Sequence, residues 1–166
     1  MTQQRSVNWS RVLVFGLLPA LALLLAIAAG LLKWKDSSIR DIDLARSQSV
    51  AAARDSTDAV LTFRYDTVDR DVAATRERLT GGFLDTYTRR AQEELIPNAK
   101  QQRVVATASV PAAAAESVTP THAVVLLFVN QIVKIGDAPA TGDDSNVRVT
   151  LDKVGERWLI SDFDQY

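Results

Sequence analysis

The sequence has no cysteine and a single histidine, His122. Without cysteine the chain forms no disulfide, has no cysteine nucleophile and offers no thiolate to a metal ion. One histidine is too few for a multi-histidine metal site within one chain. No nucleophile motif surrounds His122, so we interpret it as a surface residue at the end of a loop. We therefore predict no catalytic residues, no metal site and no cofactor, and the chain is not expected to be an enzyme.

Acidic residues are absent before Asp36, and all 20 of them lie at or beyond that position. Four of the 19 basic residues precede it, which leaves 15 basic against 20 acidic residues, or about −5, for the rest of the chain. A nucleic-acid-binding domain is expected to carry a basic surface, and a domain that lies on anionic lipid is also basic. The composition therefore predicts no nucleic-acid partner.

Charge is also absent from residues 12–32, which read VLVFGLLPALALLLAIAAGLL. A helix of that length reaches roughly 31 Å, close to the hydrocarbon thickness of a bilayer. Tryptophan and basic residues at both ends suit the two membrane interfaces. We predict a tail over 1–11, a membrane-spanning helix over 12–32, a juxtamembrane connection over 33–38 that continues as helix, and a domain over 39–166. The predicted interface anchors are Trp9, Arg11, Lys33, Trp34 and Lys35.

Two features of the predicted span allow more than one interpretation. Residues 26–28 (AIA) have the small-x-small form of a signal-peptidase site, but the apolar run continues to Leu32 and meets basic residues, which favours an anchor. Ala22, Ala26 and Gly30 form a stripe of small residues, a candidate surface for packing against another membrane helix. Alanine is common in such spans, so the stripe also fits ordinary composition. A count of flanking positive charges weakly favours a cytoplasmic domain.

Glycine and proline are absent between Gly30 and Gly81. Small and apolar residues recur there in steps of three and four, which predicts a helix over 39–64 that is buried on its small face. A coiled-coil seam has the same spacing, but alanine and serine are weak coiled-coil contacts. The members of this stripe are Ile42, Ala45, Ser49, Ala52, Ser56, Ala59 and Phe63.

Two shorter helices are predicted next. One runs over 67–79, with Asp66 as its N-cap, Asp69 in its first turn and Gly81-Gly82 as its stop. The other runs over 83–102 and is bent or divided by Pro97. Asp66, Asp69 and Asp71 lack the spacing of a calcium loop, so capping and solvation explain them.

The pattern changes to strands after Arg103. Strands are predicted over 104–110, 122–135, 147–151 and 157–163, with an exposed loop over 136–145. Residues 123–129 are apolar on both faces, which predicts a central strand covered on both sides. Helices followed by a meander predict an α+β domain with about three helices packed on a curved antiparallel sheet of about four strands. We expect the aromatic residues Tyr65, Phe83, Tyr87, Phe128 and Trp158 to lie mainly in its core.

Several segments in this order resemble the Mce-associated membrane protein family. They are 64–71 (RYDTVDRD), 79–83 (LTGGF), 102–105 (QRVV), 123–131 (AVVLLFVNQ) and 157–162 (RWLISD). The resemblance implies a single-span protein of the cell membrane with a cytoplasmic N-terminus. It also implies an extracytoplasmic, cone-like domain similar to nuclear transport factor 2 and to type IV secretion assembly factors. This implied topology decides the orientation against the weak charge count.

The resemblance also implies a function. Members accompany transporters that import lipids, and no catalytic residues are established for them. The leading hypothesis is therefore a non-catalytic accessory subunit that assembles or stabilises an Mce-type transporter, with the bilayer, transporter subunits and a second copy of itself as partners. One alternative is a lipid-binding or enzymatic pocket inside the cone, which a cavity of several hundred Å3 with convergent polar groups would favour. Another is an assembly factor of a secretion complex.

Overall fold

A computed structural model describes the backbone of residues 18–166 and the side chains of residues 40–166. The chain divides into two units, Met1–Asp41 and Ile42–Tyr166. The predicted tail and the start of the predicted span fall outside the described residues. So do the predicted anchors Trp9 and Arg11, together with the side chains of Lys33, Trp34 and Lys35 and of the stripe Ala22, Ala26 and Gly30. In the part of the chain that is described, no helix combines the length and the apolar composition needed to cross a membrane.

The first helix, α1, comprises Leu18–Leu61. Within the second unit its small residues face the core, and Ala45, Ser49 and Ala53 are 4%, 0% and 0% exposed. Ser56 and Thr57 are buried further along the same face. The predicted stripe is confirmed in part, because Ala45, Ser49 and Ser56 are buried, whereas Ile42, Ala52 and Ala59 are half-buried and Phe63 lies beyond the end of the helix. Its small members allow the helix backbone to approach the sheet closely.

Helix α1 ends earlier than predicted. Phe63–Arg64 form a two-residue strand, β1, which pairs antiparallel with Ala106 and Val105. The backbone N–H of Ala108 donates to the hydroxyl of Thr62 over 2.9 Å, which joins the end of the helix to the sheet. The backbone groups of these residues are thus satisfied by the sheet, which overrides their helical spacing.

Helix α2 comprises Val68–Arg76. The prediction of Asp66 as its N-cap was wrong, because Thr67 occupies that position without a side-chain cap, and Asp66 pairs with Arg64 at 3.2 Å. Asp69 and Asp71 lie in the first turn, where the positive end of the helix dipole favours carboxylates.

Helix α3 comprises Gly81–Arg90. The prediction that Gly81 and Gly82 terminate the preceding helix was wrong, since they open this one and α2 already ends at Arg76. Gly81 has φ 59, a left-handed conformation that glycine adopts without strain. This conformation redirects the chain into α3 directly after Thr80 donates its N–H to the carbonyl of Ile160 over 2.8 Å.

The last predicted helix is divided, as Pro97 suggested. After α3 the backbone forms a π-helical segment, Ala91–Leu95, and then helix α4, Ile96–Gln102, in which Pro97 lies in the first turn. A proline has no N–H and its ring crowds the carbonyl one turn earlier, so a wider π turn before it relieves the clash. Arg103, at φ 54, ends α4.

Four long strands complete the fold: β2 (Val104–Val118), β3 (His122–Ile135), β4 (Thr141–Val154) and β5 (Arg157–Gln165). They form one antiparallel sheet in the order β1-β2-β3-β4-β5. The α+β class and the meander are confirmed, with five strands where four were predicted. The predicted loop over 136–145 is shorter, because Asp143 and Asp144 pair with Gln131 and Asn130 of the long strand β3.

The helices pack on one face of the sheet. Alternate residues of its strands point into this inner face and form the core with Ala45, Ala53 and Leu79. The prediction that β3 is covered on both sides was wrong, since Phe128 on its outer face is 40% exposed. The inward residues of the central strands are Ala123, Val125, Leu127, Val129, Val147, Val149 and Leu151.

Candidate interaction surfaces

His122 begins β3 and lies at a corner of the sheet. Its Nδ1 is 2.7 Å from a carboxylate oxygen of Asp152 on β4, and both side chains are about half exposed. Hydrogen bonds from His122 first and Ser161 second lower the pKa of Asp152. The carboxylate thus lies between the imidazole and the serine, which differs from the order of a Ser-His-Asp triad. This arrangement agrees with a surface role for His122.

The three aspartates of the segment 64–71 do not converge. Asp66 pairs with Arg64 at 3.2 Å, whereas Asp69 pairs with Lys100 of α4 at 2.6 Å. Asp71 accepts a hydrogen bond of 2.6 Å from a threonine hydroxyl one turn earlier. Within the described residues, no group of three or more acidic or histidine side chains is placed to hold a metal ion. Of these contacts, the pair of Asp69 with Lys100 connects α2 to α4.

The outer face of the sheet carries an apolar patch. Phe128 of β3 lies between Ala112 and Asn146, and Leu126 lies between Ala114 and Arg148. The two alanines are small, so a depression of about 350 Å3 opens beside the larger side chains. Antiparallel sheets with one solvated face normally alternate apolar and polar residues, whereas here the outward positions of β2 and β3 are apolar as well. We call this surface the outer patch; its residues are Ala112, Ala114, Leu126, Phe128 and Tyr166.

The border of the outer patch is polar. Arg148 and Glu116 form an ion pair at 3.3 Å beside Leu126. On β3 the row after Phe128 is polar, with Asn130 paired to Asp144 and to a serine of β2. The centre of the patch thus has no unpaired charge to repel an apolar partner surface.

A cleft of about 700 Å3 opens between helices α3 and α4 and the end of β5. Phe83 stacks on Phe163 along one wall, with ring centroids 5.6 Å apart and planes 5° from parallel. Burial raises the pKa of Tyr87, which lines the same wall. We call this the helix cleft. Its polar residues, Thr86, Arg90, Glu94, Asn98, Asp164 and Gln165, come from one helix side and one strand end.

The five aromatic residues expected in the core have different positions. Trp158 is 6% exposed, and Phe83 and Tyr87 are half-buried against the core. Tyr65 is half-buried, and the guanidinium of Arg103 lies 5.8 Å from its ring centroid. Phe128 belongs to the outer patch, so for this residue the expectation was wrong.

The arrangement of helices on a five-stranded meander defines a fold shared with proteins of type IV secretion systems. An IcmL-like type IV secretion system protein from Legionella pneumophila matches with a TM-score of 0.62 and 12% identity, over 73% of this chain and 91% of that chain. CagV, a VirB8 homolog of Helicobacter pylori, matches with a TM-score of 0.57 and 12% identity, over 72% and 96%. At these identities the likeness shows the fold alone.

The chain belongs to the family described as uncharacterized protein Rv1363c/MT1408-like, whose model matches residues 13–164. It is similar to the outer membrane protein Rv1973 of Mycobacterium tuberculosis, with 53% identity over 159 residues, 95% of this chain and 99% of that protein. Neither the family description nor the name of the relative mentions Mce-associated proteins, so the association with an Mce-type transporter stays a proposal.

Proposed function

We propose that this chain is a non-catalytic, membrane-anchored accessory subunit of a cell-envelope complex, and that it binds a protein partner through the outer patch. The observation that carries the proposal is Phe128, an aromatic residue that is 40% exposed at the centre of an apolar sheet face. Exposed apolar patches with a polar border are typical of protein contacts. Aromatic residues at the centre of such contacts frequently dominate the binding energy.

Three considerations support the class of partner. The solved structures with this fold include components of type IV secretion systems, which are multisubunit assemblies. The relative Rv1973 is called an outer membrane protein, which supports a location in the envelope. The resemblance to the Mce-associated family favours a subunit of an Mce-type lipid importer as the partner. An assembly role in a secretion complex is the second candidate, favoured by the fold.

The membrane part of the proposal depends on residues 12–32. In this proposal they cross the cell membrane once, with the N-terminus in the cytoplasm and the domain on the extracytoplasmic side. Trp9, Arg11, Lys33, Trp34 and Lys35 lie at the interfaces. The Ala22, Ala26 and Gly30 stripe then offers a second contact to a partner helix.

The test is recovery of the partner from native membranes. A tagged full chain carrying Phe128→Asp is compared with Ile132→Asp, which changes an exposed apolar residue on the same strand and face, beyond the polar row of Asn130. Loss of a central aromatic contact worth about 2 kcal/mol corresponds to roughly a thirtyfold loss of affinity. We expect Phe128→Asp to abolish recovery of the partner and Ile132→Asp to retain it.

Identification of the recovered proteins separates the candidates. Subunits of a lipid importer support the first, secretion components support the second, and a differently tagged copy of this chain indicates self-association. Ala26→Leu tests the contribution of the span. If partners are recovered equally with Phe128→Asp and Ile132→Asp, the outer patch is not the contact and this part of the proposal fails.

A further inference from the structure

The proposed function assigns no role to the helix cleft. Its walls are half-buried apolar side chains, which include Val60, Phe63, Phe83, Leu95 and Phe163. Its volume of about 700 Å3 lies within the range of small-molecule sites, and it is far larger than the volume of a single water molecule. The walls are contributed by α1, α3, the π-helical segment, α4 and three strands, so most elements of the fold shape the cleft.

The charged groups are confined to the border of the helix cleft. Arg90 and Glu94 are exposed there, and neither has an ion-pair partner within residues 40–166. Asp164 pairs with Arg148, so its side chain lies on the outer face of the sheet. The border therefore holds one positive and one negative charge. An anionic head group would face the Glu94 carboxylate, whereas a cationic head group would face the Arg90 guanidinium. A hydroxyl both donates and accepts hydrogen bonds, so it suits both groups at once.

We propose that the helix cleft binds an uncharged amphiphile, with an acyl or similarly apolar chain against the aromatic wall and a hydroxyl-bearing head at the border. Arg90 and Asn98 donate hydrogen bonds to the head, and Glu94 accepts them. The site is separate from the outer patch, because the cleft lies on the helical side of the sheet and the patch on its other face. A failure of the proposed function would therefore not affect this proposal, and the converse also holds.

Photolabelling of the full chain tests this assignment. The probe is a monoglyceride of about ten carbons with a diazirine in its chain, used below its micelle concentration, and the comparison probe is the fatty acid of equal chain length. Labelled peptides are mapped by mass spectrometry, with labelling of residues 12–32 as the internal reference. We expect the monoglyceride to label residues 81–104 at least fivefold more than the fatty acid does.

Two pairs of variants make the result specific. Thr86→Trp fills the cleft, and its matched control, Gln92→Trp, adds the same side chain to an exposed position that does not line it. We expect labelling of residues 81–104 to be lost in the first and retained in the second. Circular dichroism of both variants establishes that they are folded.

The second pair inverts the charge of the border. Glu94→Lys changes its net charge from 0 to +2, whereas Glu93→Lys makes the same substitution at an exposed neighbour that does not line the cleft. An interaction of two unit charges near 4 Å in water changes binding by about fivefold. We expect labelling by the fatty acid to rise by about that factor with Glu94→Lys and to stay unchanged with Glu93→Lys.

Three outcomes would overturn the proposal. The first is an absence of monoglyceride labelling over residues 81–104. The second is equal labelling in Thr86→Trp and Gln92→Trp. The third is a protein cross-linked in cells to a photoreactive amino acid at position 98, which would assign the cleft to a partner protein.

Discussion

The close packing of α1 on the sheet leads to a quantitative prediction at Ala53. This residue is fully buried, and we expect Ala53→Leu to destabilise the domain by about 1–3 kcal/mol, the usual effect of overpacking a dense core. If free space existed beside Ala53, burying the additional carbons would instead stabilise the fold by about 2 kcal/mol. The sign of the change therefore reports directly on the distance between helix and sheet.

The same helix provides the matched control. Ala51 is exposed, and leucine and alanine have similar helix propensities, so Ala51→Leu is expected to change stability by no more than about 0.5 kcal/mol. Any difference between the two variants then comes from packing and not from helix formation.

Urea unfolding of the full chain in detergent, followed by tryptophan fluorescence, measures both variants. Trp158 is 6% exposed and reports on the core, and replacing Trp9 and Trp34 by phenylalanine removes the other tryptophan signals. The urea midpoint of Ala53→Leu should fall below that of Ala51→Leu. An equal or higher midpoint would refute the close approach of α1 to the sheet.

Two further predictions concern a turn and a surface pair. Gly81→Ala should destabilise the domain by about 1 kcal/mol because of its positive φ, whereas Gly82→Ala, which lies in the first turn of α3 at negative φ, should be neutral or stabilising in thermal unfolding. The lowered pKa of Asp152 stabilises the fold above the unfolded-state pKa of about 3.9, and this contribution is lost as pH falls through the folded-state value. Thermal midpoints measured from pH 6 to pH 2.5 should therefore fall less in Asp152→Asn than in the wild type, and equal slopes would show that the bond with His122 has no effect on stability.

Periodic features of the fold were predictable from the sequence because they depend on local patterns. The small face of α1 and the bounds of β3 follow from spacing alone, and Pro97 correctly indicated a divided helix. Strand β1 was missed because two residues have no period, and its existence depends on a partner far along the chain. The early start of β4 was missed for a similar reason, since pairing with β3 overrides the turn propensity of its aspartates.

The candidate surfaces were less predictable than the fold. Apolar residues on both faces of β3 were visible in the sequence, but which face the helices cover is a property of tertiary packing. The helix cleft could not be found from any single motif, because Val60, Leu95, Val104 and Phe163 belong to four different elements. Of its polar residues, Arg90, Glu94 and Asn98 recur every four positions, which is the spacing of one helix side.

The order of the sheet has a consequence for how the chain acquires its fold. Strands β2 to β5 pair only with their neighbours in sequence, so the meander forms from short loops, which favours rapid folding. Residues 65–103 separate strand β1 from its partner β2, so the pairing of β1 requires closure of a longer loop and is slower. During synthesis the apolar face of α1 emerges before Leu151 and Ile160, which complete the core. The domain is therefore most exposed to aggregation or capture by a chaperone in the interval before its last strand is made.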